Sequence, residues 1–205
     1  MSITIHDCEW WDDSKTDYQK KCYLEQIYQY LDLIKEKWPR EEPIFLISLG
    51  SGKYPLPEIC LLNALKRLGY DVALYLVDSI YPSLLKNHTI GSGLYQDPQV
   101  PKDFSSEFSY YHSLSEIIPI FEESNYRNIL MIGFNAQYIT YPEIIERDFE
   151  YKTNVYNEIL AAIQVLQRSY DKFGVKHLNF TTTDKCVTNN WLDFFQEKAD
   201  KIWKK

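Results

Sequence analysis

Glycine is scarce in this chain: seven residues in 205. Those present therefore carry information, above all the two triplets Gly50-Ser51-Gly52 and Gly91-Ser92-Gly93. Basic charge is also short. Lys and Arg total 22 against 29 Asp and Glu, for a net charge of -7. With no cationic excess to neutralise phosphates, broad nucleic-acid binding is not expected. The four cysteines, Cys8, Cys22, Cys60 and Cys186, form no CxxC pair, which removes the usual zinc and thiol-redox spacings. His6, His88, His112 and His177 are scattered, with no HxH or HExxH pattern, so a metal hydrolase has little support and no metal ligands are assigned. No apolar run approaches the length of a bilayer crossing, and Met1 to Trp11 is polar and acidic, unlike a signal peptide. A cytoplasmic protein without membrane contact is the expectation. There is no internal repeat, low-complexity tract or second domain boundary, so residues 1–205 read as one domain.

Aromatic residues are abundant by contrast: 17 Tyr, 10 Phe and 5 Trp. They suggest aromatic packing and an aromatic-lined pocket. The most informative stretch runs from Ile44 to Asp78. A short apolar run ends in Gly50-Ser51-Gly52. Ile59, Leu62, Leu65 and Leu68 then recur every three residues, and a second apolar run ends in Asp78. Strand, glycine turn, amphipathic helix, strand and acid make a βαβ unit of the kind that holds a nucleotide-like ligand. The glycines let a ligand approach the backbone where a Cβ would clash. The acid at the second strand's tip can accept hydrogen bonds from two ribose hydroxyls.

Along the rest of the chain, residues 1–15 read as an arm and Thr16 to Trp38 as a helix stopped by Pro39. Tyr81 to Asp103 holds turn residues without periodicity and reads as a lid loop. Phe104 to His112 reads as a short strand, and Ser115 as the cap of a helix over Glu116 to Ser124. Asn128 to Phe134 is a continuous apolar run, as a doubly buried strand requires. Glu143 to Tyr170 reads as helix, His177 to Thr183 as strand, and Asn190 to Trp203 as a closing helix. Strands near 44–49, 72–78, 106–112, 128–134 and 177–183, alternating with helices, define an α/β fold with a mostly parallel central sheet and helices on both faces.

This pattern over roughly residues 40 to 140 resembles the cofactor-binding half of class I S-adenosylmethionine-dependent methyltransferases. Leu49-Gly50-Ser51-Gly52 resembles their glycine-rich first motif, and Leu76-Val77-Asp78-Ser79 their ribose-binding second motif. His112-Ser113 falls where the family contacts adenine, and Phe134-Asn135-Ala136 where it lines the methyl-donor and acceptor pocket. The resemblance implies a three-layer Rossmann-like fold, S-adenosylmethionine as cofactor, and a small-molecule or protein methyl acceptor. It implies cofactor contacts at Gly50, Ser51, Gly52, Tyr54, Asp78, Ser79, His112, Ser113 and Asn135. Candidates for a catalytic base at the strand ends are His112, Tyr138 and Tyr141. Glu58 stands either near the cofactor's amino-acid end or as a first-turn acid complementing the helix dipole. Lys53-Tyr54-Pro55 stands where a third glycine is usual, and Asp78 follows Gly52 at an interval of 26 positions.

Two other readings stay open. A nicotinamide dinucleotide would use the same turn and acid, although Pro55 interrupts G-x-G-x-x-G. The alternative of a Rossmann-like binding or regulatory protein without catalysis is favoured by the imperfect third motif at His112-Ser113 and by the aromatic surplus. On any ligand-binding reading, Asp78→Ala should abolish binding with little loss of fold.

Overall fold

The structure, a computed structural model, describes residues 17–52, 55–81, 108–123, 128–134, 153–154, 156–164, 180–182, 185–187 and 197. Helix α1 spans Asp17–Lys37 and is followed by Pro39. Its residues Tyr23, Ile27, Tyr30, Leu31 and Ile34 recur at three and four and are all buried. Strand β1, Ile44–Leu49, is buried along its whole length, which is why every one of its positions but Ser48 is apolar.

Helix α2, Leu56–Arg67, begins three residues before the periodicity suggested. Pro55 sits at its N-cap and Pro57 in its first turn, where a missing N–H costs no helical hydrogen bond. Its end is closed by backbone geometry. Gly69 takes a positive φ of 86°, and its N–H reaches the Lys66 carbonyl at 2.9 Å. The Tyr70 N–H then reaches Leu65 at 3.1 Å, completing a Schellman turn that sends the chain into β2, Val72–Val77.

Strand β3 is Phe108–Tyr111. A 3-10 turn over Leu114–Glu116 and the short helix α3, Ile118–Glu123, lead to β4, Asn128–Ile132. Ser115 does not cap this helix. Ser113 holds the position before the 3-10 turn, and the two hydroxyls bond each other at 2.6 Å. Residues 153–154 and 156–164 are helical and are called α4. The remainder of the expected 143–170 helix, residues 1–15, the lid beyond Tyr81, and the closing helix except Glu197 lie outside the described residues.

Four strands form one all-parallel sheet in the order β3-β2-β1-β4. The protein is therefore an α/β protein built on a parallel sheet. Alternation along each strand divides the core in two. Ile44, Leu46, Leu74, Leu76, Leu130 and Ile132 pack with α1 and α2. Phe45, Ile47, Leu49, Ile129 and Met131 pack with Leu114, Ile117, Ile159 and Ala162. Much of the aromatic surplus is used in this packing. Phe45 stacks on Tyr75 at 4.2 Å, and Phe134 meets Tyr23 and Tyr30 edge to face.

The 177–183 expectation is corrected in one respect. Phe180–Thr182 (β5) pairs antiparallel with Lys185–Val187 (β6) in a separate two-stranded sheet. It lies against β4 but is not hydrogen-bonded to it. Two residues separate β5 from β6, a spacing that favours a hairpin over a crossover.

Phe134 is 1% exposed and sits among α1 aromatics rather than in a cleft. Phe134→Ala should lower unfolding free energy by about 3–5 kcal/mol in a urea titration. A loss below about 1 kcal/mol would mean that the ring adds little to the core.

Candidate functional site

The chain order explains where a crevice must open. From β1 the chain steps to β2 and β3 on one side; it then returns to place β4 on the other side of β1. The connection from β1 to β2 and the one that brings the chain from β3 to β4 thus run to opposite sides of β1, and ligands in open parallel sheets bind beyond the C-terminal strand ends at such a reversal of strand order. The segments that leave these strand ends are Gly50–Gly52 after β1, Asp78–Tyr81 after β2 and His112–Ser113 after β3.

Gly50 and Gly52 both adopt the left-handed backbone region, with φ of 68° and 67°. A side chain would be strained there, which accounts for two glycines in a glycine-poor chain. A Cβ built on Gly52 would meet nothing within 4 Å among the described residues, so the turn presents them an open backbone face. Ser51 points inward instead. It is 3% exposed, and its hydroxyl donates toward the Ser48 and Val77 carbonyls at 3.3 and 3.4 Å. It therefore anchors the turn through its side chain and can offer a ligand only its backbone.

Asp78 ties two strand ends together. Its Oδ2 accepts the Gly52 N–H at 2.8 Å, and its Oδ1 accepts the Ile80 N–H at 3.0 Å. The first bond sets the glycine turn; the second closes a turn after β2. Ser79 and Ile80 follow on the exposed surface.

Tyr81 links all three segments and had no signal in the sequence. Its side chain is fully buried. The phenol donates to the Gly52 carbonyl at 2.5 Å, its N–H donates to the Asp78 carbonyl at 3.0 Å, and its own carbonyl accepts His112 Nδ1–H at 2.9 Å. Burial first, then the carboxylates of Glu58 and Asp78, pushes the phenol well above the ordinary tyrosine range. Tyr81 thus stays protonated and remains a donor.

Glu58 lies beneath the turn, 1% exposed, and accepts the Ser48 hydroxyl at 2.9 Å. Its position in the first turn of α2 suits the helix dipole, and the same position brings it under β1. At β3, two carboxylates take two loop amides, those of His112 and Leu114. Glu116 Oε2 accepts the His112 N–H at 3.1 Å, and Glu158 Oε2, from α4, accepts the Leu114 N–H at 3.0 Å. Burial pushes the Glu158 carboxyl up to about 7; the charge of Glu116 adds to this, while the Leu114 N–H and His112 oppose it. Sequence periodicity marked neither Glu158 nor Glu116, because their partners are backbone groups of a distant loop.

Of the expected contacts, Gly50, Ser51, Gly52, Asp78, Ser79, His112 and Ser113 lie at the strand ends. Tyr54, Asn135, Tyr138 and Tyr141 lie outside the described residues. Among the described residues, no three His, Cys, Asp or Glu side chains converge as a metal site. No helix among them is long and apolar enough to cross a membrane. No protein-family model matches the chain, and no curated protein matches it as a relative.

Two outcomes follow from these bonds. Asp78→Ala leaves the Gly52 and Ile80 amides without their acceptor, so it should cost about 1–3 kcal/mol in urea unfolding, more than the sequence alone suggests. Asp78→Asn, which keeps one side-chain carbonyl, should cost less; equal stability of all three proteins would show that the bonds contribute nothing. Glu158 has its folded pKa raised from an ordinary 4.5 to about 7. Its contribution is full below the lower value and is lost as pH rises through the upper one. Stability should fall by about 1–3 kcal/mol between those limits, and Glu158→Gln should flatten that part of the profile.

Proposed function

We propose that this chain is a Rossmann-like protein of three layers that binds S-adenosylmethionine and transfers its methyl group to a small-molecule or protein acceptor. The observation that carries the reading is the hydrogen bond between Gly52 N–H and Asp78 Oδ2. It joins a left-handed glycine turn after the first strand to an acid after the second, within a parallel sheet of order β3-β2-β1-β4. Two apolar cores, one on each set of alternating strand residues, support helices on both faces.

The residues present fit such a ligand. The open face of Gly52 leaves space where a Cβ would stand, and Asp78 retains lone pairs beyond the two amides it accepts. When bound, S-adenosylmethionine supplies a methyl group already activated on a sulfonium. The chain's own residues then orient the donor and acceptor and keep them close. His112 is the described candidate for moving an acceptor proton. The absence of a membrane-crossing helix among the described residues and the lack of CxxC pairs support a reducing, cytoplasmic setting.

A second reading is favoured by one observation. Both oxygens of Asp78 already hold backbone amides, so the acid has a structural task that a binding protein without catalysis would also need. A nicotinamide dinucleotide fits less well, because buried Pro55 occupies part of the phosphate-binding turn.

Calorimetric titration with S-adenosylmethionine, S-adenosylhomocysteine and NAD tests the proposal. Binding of the first two, weakened at least about tenfold in Asp78→Asn, is the expected result. Saturating ligand at about 100 times its dissociation constant should add about 2.7 kcal/mol to stability. Silence from all three in folded protein would favour the non-catalytic reading.

A further inference from the structure

The loop that follows β3 is gripped by carboxylates from two different elements. Glu116 belongs to the loop's own 3-10 turn, and its Oε2 accepts the His112 N–H at 3.1 Å. Glu158 comes from α4, and its Oε2 accepts the Leu114 N–H at 3.0 Å across 44 residues of chain. Both acids are thus drawn to the same short length of backbone. They differ in exposure: Glu116 is buried, whereas Glu158 is half-buried. A half-buried glutamate can turn its carboxylate to water by side-chain rotation while its helix stays in place. Leu114, Ile117, Ile159 and Ala162 pack in one apolar cluster, which keeps α4 against the loop in either rotamer.

The described titratable groups that face Glu158 are Glu116 from the 3-10 turn and His112 from the end of β3. With its proton, Glu158 is neutral and still offers the Leu114 N–H an acceptor. Without it, a second negative charge stands beside Glu116 where water is partly excluded. The Leu114 amide and the His112 ring favour the charged form, but burial outweighs them and holds the carboxyl up to about 7. The grip is felt further along the strand ends. The His112 ring bonds the Tyr81 carbonyl at 2.9 Å, and Tyr81 holds both Gly52 and Asp78.

We propose that Glu158 is a proton-controlled latch, which fastens the loop after β3 to α4 when protonated and turns out to water when ionised. Turning out leaves the fully buried Leu114 without an acceptor for its amide. A buried donor in that state is costly, so residues 112–116 loosen. The contact of His112 with Tyr81, which braces the glycine turn, loosens with them. The strand ends are therefore tighter in mildly acidic solution than in mildly alkaline solution, whatever they bind.

The test is an NMR titration of the nitrogen-15-labelled full chain from about pH 5 to about pH 8, read at the Leu114 amide. A group whose folded pKa is raised stabilises below its ordinary value and loses that effect as pH rises toward the raised one. Protection of the Leu114 amide from hydrogen exchange, corrected for base catalysis, should therefore fall at least about tenfold over this range. Its proton signal should move upfield, as a broken hydrogen bond requires. An acid that ionised in place would form a stronger, charge-assisted bond and move the signal downfield. Glu158→Gln keeps a neutral acceptor and should hold Leu114 protected throughout. Glu158→Ala should leave it poorly protected throughout. A downfield movement or an unchanged signal in the parent protein overturns the inference. So does a pH response that persists in Glu158→Gln, which would belong to Glu116 or His112, or full protection in Glu158→Ala.

Discussion

One hydrogen bond organises the C-terminal ends of the first two strands. Gly52 N–H meets Asp78 Oδ2 at 2.8 Å and couples the turn after β1 to the turn after β2. Neither turn has another described side-chain acceptor of this kind. The glycine turn needs left-handed backbone at Gly50 and Gly52, and such a turn exposes amides that must be satisfied. A carboxylate at the next strand's tip satisfies one of them. Tyr81 then closes the assembly from below with a bond to the Gly52 carbonyl.

The rigidity of this end comes from charge and burial acting together. Glu58, Asp78, Glu116 and Glu158 all accept hydrogen bonds at or beneath the strand ends. Carboxylates in such a setting repel one another and lose hydration. Hydroxyl and amide donors meet these carboxylates. An ion pair of Lys35 with Asp32 at 3.5 Å lies on the exposed side of α1 and adds little. Carboxylates gathered at these strand ends suit a neutral or cationic ligand better than an anionic one. That is the electrostatic support for the proposed sulfonium donor over a dinucleotide pyrophosphate.

Much of the fold was legible from the chain. The Ile44–Leu49 and Val72–Val77 strands follow from unbroken apolar runs, and α1 follows from buried residues at spacings of three and four. Other elements were harder to place. Proline reads as a helix breaker, yet Pro55 stands at α2's N-cap and Pro57 in its first turn, where no amide is needed. The expected fifth strand pairs with Lys185–Val187, because local hairpin closure needs no knowledge of the sheet. At the site, Gly50, Gly52 and Asp78 were visible as a motif. Tyr81 was not, since a buried tyrosine a few residues past the end of β2 has no pattern of its own.

What the sequence determined by itself was the βαβ unit: two apolar strands, a glycine turn that only glycine accommodates, a helix with one apolar face, and an acid at a strand tip. These depend on local backbone preference and on periodicity, which neighbouring residues encode. What only the tertiary structure decided were the bonds between segments far apart in sequence. Asp78 reaches Gly52, the Tyr81 carbonyl sets the proton on His112, and Glu158 reaches Leu114 across 44 residues. Hydrogen bonds are short-ranged and directional, so these partners meet only once the parallel sheet has aligned the strand ends.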